Sequence, residues 1–192
     1  MNRFIAATPA KCIGCRTCEV ACVLAHANHC EGACALAEPN PAADRPSCLS
    51  FMPRLTVIKT ETVSTVVNCH HCEDAPCANA CPSGAIVYRK NSVQIDQDRC
   101  LGCKTCMMAC PFGAMNVITV PGSRMFAGVA IATGRKAQAH KCDLCIDREG
   151  GPACVSVCPT KALRLVDRAS MDETLRLRQE RSVAALMASA AL

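Results

Sequence analysis

Apolar and polar residues alternate along this chain only in short stretches. "RFIA" (3–6), "RLTVIKT" (54–60), "IVYR" (86–89), "NVITV" (116–120) and "LRLVD" (163–167) each carry the period-two pattern of a half-buried strand. "IVYRKNSVQID" alternates on both sides of Lys90 and Asn91, which predicts a hairpin turning at those two residues. Near the end, "SMDE" (170–173) fits a capping box with Ser170 as N-cap and Glu173 at the third helical position. A terminal helix is expected there, its charges at 176–181 facing solvent or a partner. No run reaches the roughly 20 apolar residues needed to cross a bilayer. The longest, "VAALMASAAL" (183–192), is half that and Ala-rich.

Composition changes this picture in one respect. The chain of 192 residues is 51% hydrophobic, a folding composition, yet it has no Trp, one Tyr and four Phe. The interior must be filled by something else, and nineteen cysteines are the candidates. They could be a secreted disulfide framework or metal ligands. "MNRFIAATPAKC" holds no apolar signal-peptide core, and nineteen is odd, so metal-bound thiolates in a reducing, cytoplasmic setting are expected. Export alongside a signal-bearing partner stays open.

Sixteen of the cysteines fall into four groups, each ending in C-x3-C. They are Cys12, Cys15, Cys18, Cys22; Cys69, Cys72, Cys77, Cys81; Cys100, Cys103, Cys106, Cys110; and Cys142, Cys145, Cys154, Cys158. Three groups run on as "CPSGAI" (81–86), "CPFGAM" (110–115) and "CPTKAL" (158–163), so the repeat exceeds the thiols; Val23 replaces the proline after Cys22. Short helices after each C-x3-C and small two-stranded sheets complete the expected picture.

This spacing suits cubane 4Fe-4S clusters. Three thiolates at C-x2-C-x2-C wrap one cluster from a tight loop, and the C-P cysteine of a paired motif reaches over to the other cluster. Gly14 and Gly102 in "CIGC" and "CLGC" free the backbone to bring N–H groups close to sulfur. Zinc is the alternative metal, since C-x2-C pairs also make zinc sites. Four groups, three with the C-P ending, favour iron.

Charge fits the same reading. The formal +5 leaves out the clusters, and four clusters at about −2 each would bring the total to about −3. The basic residues are scattered without interleaved aromatics, which argues against nucleic acid as a partner. There is no G-x-G-x-x-G, no Walker motif and no evident general base or nucleophile, so no catalytic residue is assigned.

The motifs "MNRFIAATPAKCIGCRTCEVAC", "MPRLTVIK", "CEDAPCANACPSGAI", "CKTCMMACPFGAM" and "KCDLC...GPACVSVCPTKAL" resemble a known family. It is that of the four-cluster ferredoxin-like electron-transfer subunits of molybdopterin oxidoreductases, with the small subunits of formate dehydrogenases and dimethyl sulfoxide reductases. More narrowly they resemble its HydN-type branch and the small electron-transfer subunit of formate hydrogenlyase. The likeness runs from residue 1 to about 168.

The resemblance implies an α+β fold of two fused bacterial-type dicluster ferredoxin modules with small antiparallel sheets. Residues 1–26 and 140–168 would form an outer module, 27–53 a Cys-containing insertion, 54–120 an inner module, 121–139 a linker and 169–192 the terminal helix. It further implies four 4Fe-4S clusters. Cys12, Cys15 and Cys18 would share one with Cys158, and Cys142, Cys145 and Cys154 one with Cys22. In the inner module Cys69, Cys72 and Cys77 would join Cys110, while Cys100, Cys103 and Cys106 would join Cys81. Nearness in sequence independently supports the inner pairing.

Other residues invite assignment. Cys30, Cys34 and Cys48 could form an extra metal site with His29 or His26, or could be thiols of a Cys-rich loop, and the latter is the expectation. Of His70 and His71, one is expected to pack or hydrogen-bond and the other to face solvent or a partner. Arg16, Lys104 and Lys141, beside the thiols, could raise a cluster potential or lie in solvent. Met107 and Met108 read as core filler.

The expected function is an electron relay without its own catalytic site. Its donor would be a molybdopterin formate dehydrogenase large subunit and its acceptor a hydrogenase or other redox protein. A nickel carbon monoxide dehydrogenase as donor and a zinc-stapled scaffold are the alternatives.

Overall fold

The computed structural model describes residues 1–26, 51–126 and 129–190. Among the described residues, four antiparallel two-stranded sheets, several short helices and one long terminal helix carry the chain. Strand β1 (Phe4–Ala7) leads through a short 3-10 turn (Pro9–Lys11) to α1 (Thr17–Ala25). Then come β2 (Thr56–Lys59), β3 (Ser64–Val67), α2 (Pro76–Asn79), β4 (Ile86–Tyr88), β5 (Val93–Ile95) and α3 (Thr105–Ala109). The chain ends with β6 (Asn116–Phe126), β7 (Val129–His140), α4 (Ala153–Ser156), β8 (Leu163–Val166) and α5 (Arg168–Ala190).

The sequence-predicted strands lie where the alternation put them, within a residue or two, except that the strand begun at Asn116 runs on to Phe126. Lys90 (φ 49°) and Asn91 (φ 55°) form the β4–β5 turn, both left-handed as a two-residue hairpin requires. Arg89 and Ser92 exchange backbone hydrogen bonds across it, at 2.8 and 3.1 Å. Strand β1 pairs with β8, Phe4 opposite Val166 and Ala7 opposite Leu163, which brings the segment before the first cysteine group beside the one after the last.

Two separate cores result. Ile5, Leu55, Val57, Val66, Leu144 and Leu163 bury against Cys18, Cys22, Cys142 and Cys154. Ala75, Ile86, Val93, Met115 and Ala139 bury against Cys77 and Cys106. Sulfur takes the place that aromatic rings hold in ordinary cores. Helix α1 packs on α4, and α2 on α3.

Three expectations are corrected. Residues 121–139 are no linker: β6 and β7 form a long hairpin with a register shift between Gly122 and Ser123, and Ala139 lies in the second core. Gly, Pro and Ala made the segment look unstructured, but pairing across the hairpin outweighs their weak strand preference. Residues 54–67 pack with the first core rather than the inner module, because buried Glu19 on α1 accepts the Val57 N–H at 2.6 Å. Finally, the short helices fall inside the cysteine groups and not after C-x3-C.

Helix α5 begins at Arg168, and its cap is Asp167 instead of Ser170. The Asp167 carboxylate accepts the Ser170 N–H at 2.9 Å while Ser170 Oγ accepts the Asp167 N–H at 3.0 Å, a reciprocal box three residues earlier than expected. Residues 176–181 are exposed. Among the described residues no helix is long and apolar enough to cross a membrane.

Candidate metal centres

Each cysteine group repeats one backbone device. The residue before the second cysteine is left-handed in all four: Gly14 (φ 67°), His71 (φ 47°), Gly102 (φ 67°) and Leu144 (φ 61°). Such a turn folds the loop back so that neighbouring thiols converge. At Gly102 space also matters, for a Cβ there would meet the Ala137 Cβ of β7 at 2.3 Å.

The third cysteine of each group then sits at the second position of a helix: Cys18 on α1, Cys77 on α2, Cys106 on α3 and Cys154 on α4. All four are buried, and burial pushes their thiols up, Cys18 and Cys77 to about 11. Cys142, also buried, is pushed up to about 12 by the same cause. Binding a metal would favour the thiolate of such a buried group and release its proton to solvent.

The thiols gather across groups. Cys12, Cys15 and Cys18 line one cavity together with Cys158. Cys142, Cys145 and Cys154 line another with Cys22. Cys100, Cys103 and Cys106 line a third with Cys81. Cys69 and Cys110 both act electrostatically on Cys72 and on Cys77, which makes a fourth set. The sets adjoin: Cys18 acts on Cys154, Cys69 acts on Cys142, and Cys77 shares a core with Cys106. A line of four sets results, with Cys15 and Cys103 exposed in the two end sets.

Every set receives hydrogen bonds at sulfur. Backbone N–H groups donate from Arg54 to Cys22 (3.3 Å), His71 to Cys69 (3.4 Å), Leu144 to Cys142 (3.5 Å) and Ala162 to Cys158 (3.2 Å). Among the described residues, hydroxyls two residues beyond a cysteine serve the end sets alone. Thr17 donates to Cys15 at 3.4 Å, Thr105 lies 3.4 Å from Cys103, Ser83 3.6 Å from Cys81 and Thr160 3.8 Å from Cys158. The Thr17 and Thr105 bonds lower the Cys15 and Cys103 thiols. Four convergent thiols with donors aimed at sulfur are what a cubane's irons and sulfides require.

Charge is organised at the centre of the line. Asp143 accepts from Arg54 and lies 3.1 Å from His26 Nε2, while His26 Nδ1 is 2.7 Å from the Cys22 carbonyl. Burial works against ionising His26, but hydrogen bonds to Asp143, Cys145 and Cys22 raise it to about 12. His26 is thus committed to the outer core; Cys30, Cys34, Cys48 and His29 lie outside the described residues.

Lys141 is buried, donating to the carbonyls of Val93 and Cys142, where the sequence had left it either in solvent or near a cluster. Arg16 and Lys104 are exposed, in left-handed positions opening α1 and α3. His71 is buried and its Nδ1 accepts the Val93 N–H at 3.1 Å; burial, aided by Lys141, lowers it to about 3. His70 is exposed, stacked between Phe4 and Phe112 with ring centres 6.1 and 4.0 Å away. Met107 packs on the second core, whereas Met108 is 89% exposed and fills nothing. Sequence reasoning missed Glu19 and Asp143, whose one signal was an acid placed among cysteines and apolar residues.

The 4Fe-4S binding domain family matches residues 92–115. The electron transport protein HydN of Escherichia coli strain K12 is 49% identical over 173 residues, 90% of this chain and 93% of its own. Formate hydrogenlyase subunit 2 of the same strain is 40% identical over 199 aligned positions, 94% of this chain and 89% of its own. Among solved structures, the active site complex BamBC of benzoyl coenzyme A reductase overlaps 97% of this chain and 96% of its own at 17% identity, with a TM-score of 0.33. The likeness to HydN and to formate hydrogenlyase subunit 2 shows that the chain belongs to the HydN-like family of 4Fe-4S electron-transport proteins, non-catalytic iron-sulfur subunits that carry electrons.

Proposed function

We propose that the sixteen cysteines hold four 4Fe-4S clusters and that the chain relays electrons along them in a line. The ligand sets are Cys12, Cys15, Cys18 and Cys158; Cys22, Cys142, Cys145 and Cys154; Cys69, Cys72, Cys77 and Cys110; and Cys81, Cys100, Cys103 and Cys106. The observation that carries this reading is the convergence of twelve of the thiols, four to a cavity, on three cavities that each draw on two groups. When bound, the clusters supply one-electron redox chemistry. The chain spaces them, excludes water from the buried third cysteines and aims N–H and O–H donors at sulfur. The exposed cysteines of the end sets, Cys15 and Cys103, put the two ends of the relay within reach of partners.

Similarity to a formate hydrogenlyase subunit supports a molybdopterin formate dehydrogenase as donor and a hydrogenase or other redox protein as acceptor. The thiol-rich composition supports a reducing, cytoplasmic setting.

Anaerobic purification from the native cells, with iron, sulfide and zinc counted and the co-purifying large subunit identified, tests both parts. Four irons and four sulfides for each of four clusters are expected, with a formate dehydrogenase bound. Colourless, zinc-replete protein overturns the relay, and a nickel carbon monoxide dehydrogenase as partner overturns the assigned donor.

A further inference from the structure

Lys141 stands out among the buried groups. Its side chain is 4% exposed, and its ammonium donates to two carbonyls, Val93 on β5 and its own neighbour Cys142. Val93 belongs to the second core and Cys142 to the first, so Lys141 spans the seam between them. Among the described residues it forms no ion pair. The nearby carboxylate, Asp143, is already held by Arg54 and His26, and His71, the buried ring on the other side, accepts the Val93 N–H through Nδ1 and cannot carry compensating negative charge.

A buried charge without a counter-charge costs several kcal/mol per ion, and folded proteins pair such groups. Two carbonyls accept two of the three ammonium N–H groups of Lys141 and leave its charge uncompensated. What lies on either side is thiol: Lys141 acts on Cys72 and Cys77 of one set and on Cys142 of the next. These are the two central sets of the line. Each would carry net negative charge when loaded with its cluster, and that charge grows by one with each electron received.

We propose that Lys141 is the electrostatic tie between the two central clusters, taking them as its counter-charge and raising the reduction potential of both while leaving the end clusters to their hydroxyl donors. An electron reaching either central site adds one negative charge with no bond made or broken. The fixed ammonium beside it stabilises that added charge and softens the repulsion between neighbouring reduced sites. Lys141 is a positioning and tuning residue, since it touches carbonyls and not the sulfurs.

The inference rests on the four-cluster reading, and the experiment separates the two. Wild-type protein is loaded anaerobically, its iron and sulfide counted, and its clusters titrated with dithionite under paramagnetic resonance; anything other than four clusters defeats the four-cluster reading itself. Given four, Lys141→Gln keeps a hydrogen-bond donor and removes the charge. Two of the four reduction steps are expected to move to lower potential and two to stay, with Lys141→Arg close to wild type in all four. Four unmoved steps in Lys141→Gln, or four equal shifts, overturn the proposal. If Lys141→Gln assembles fewer clusters, loss of the two central ones alone with a full set in Lys141→Arg supports it. Equal loss in both variants overturns it in favour of packing.

Discussion

His26 and Asp143 meet across 117 residues of sequence, with Nε2 3.1 Å from Oδ1, and join the end of α1 to the last cysteine group. The same carboxylate accepts from Arg54. Asp143→Asn would leave two cations facing each other in a largely buried site, which costs about 3–5 kcal/mol when one partner of such a pair is removed. Urea unfolding of the loaded protein should show that loss; a change below about 1 kcal/mol would mean solvent already screens the pair. Burial works against ionising Asp143, but His26 and Arg54 outweigh it and hold its carboxyl well below the usual range. Its stabilising contribution is therefore complete above the unfolded pKa and lost only as pH falls through the lower folded value.

Two glycines should answer differently to the same substitution. Gly113 (φ 61°) has open space where a Cβ would go, so Gly113→Ala costs only the left-handed backbone, about 1–2 kcal/mol. Gly102→Ala adds a collision with Ala137 to the same backbone cost. Thermal unfolding should rank Gly102→Ala clearly below Gly113→Ala, and equal effects would mean that β7 yields to the intruding methyl.

The hydroxyl donors give a redox prediction. Thr17→Val keeps the side chain's shape and removes the 3.4 Å hydrogen bond to Cys15. Hydrogen bonds to sulfur favour the more negative, reduced state, so one end cluster should move to lower potential with the other three unmoved. Thr174→Val on α5, where the hydroxyl donates to the Ser170 carbonyl, is the control. A titration of Thr17→Val that overlays the control would show that this hydroxyl does not tune the cluster.

Asp167 sets the start of α5, and its carboxyl is lowered by hydrogen bonds from Ser170. The helix should keep its cap above the ordinary carboxylate range and lose it as pH falls through the lower folded value. Circular dichroism should record a loss of helical signal on acidification in wild type. Asp167→Ala should show that lower signal already at neutral pH.

What could be read in advance was local. The cysteine groups were legible because each wraps its loop within a few residues, and the β4–β5 turn because Lys90 and Asn91 interrupt a clean alternation. What escaped depends on distant partners. Beyond Val120 the β6–β7 hairpin is broken up by Pro121, Gly122 and Gly134, which only pairing holds in strand, and Ala139 becomes core only when the hairpin folds over Gly102. The burial of Lys141 is likewise a tertiary fact, since the same residue beside Cys142 in an open loop would lie in water. The cap of α5 was displaced because Asp167 and Ser170 serve each other, a reciprocity in which either could have come first.

The pairing of β1 with β8 sets an order of events during synthesis. Cys158 leaves the ribosome well over a hundred residues after Cys12, Cys15 and Cys18, so at roughly 5–20 residues per second the first three thiols wait on the order of ten seconds for their fourth companion. The thiols of the second and third groups meet well before that. Iron delivered to the nascent chain can be enclosed in the middle first, while the outermost loop stands open to oxidants until the last strand arrives to shut it.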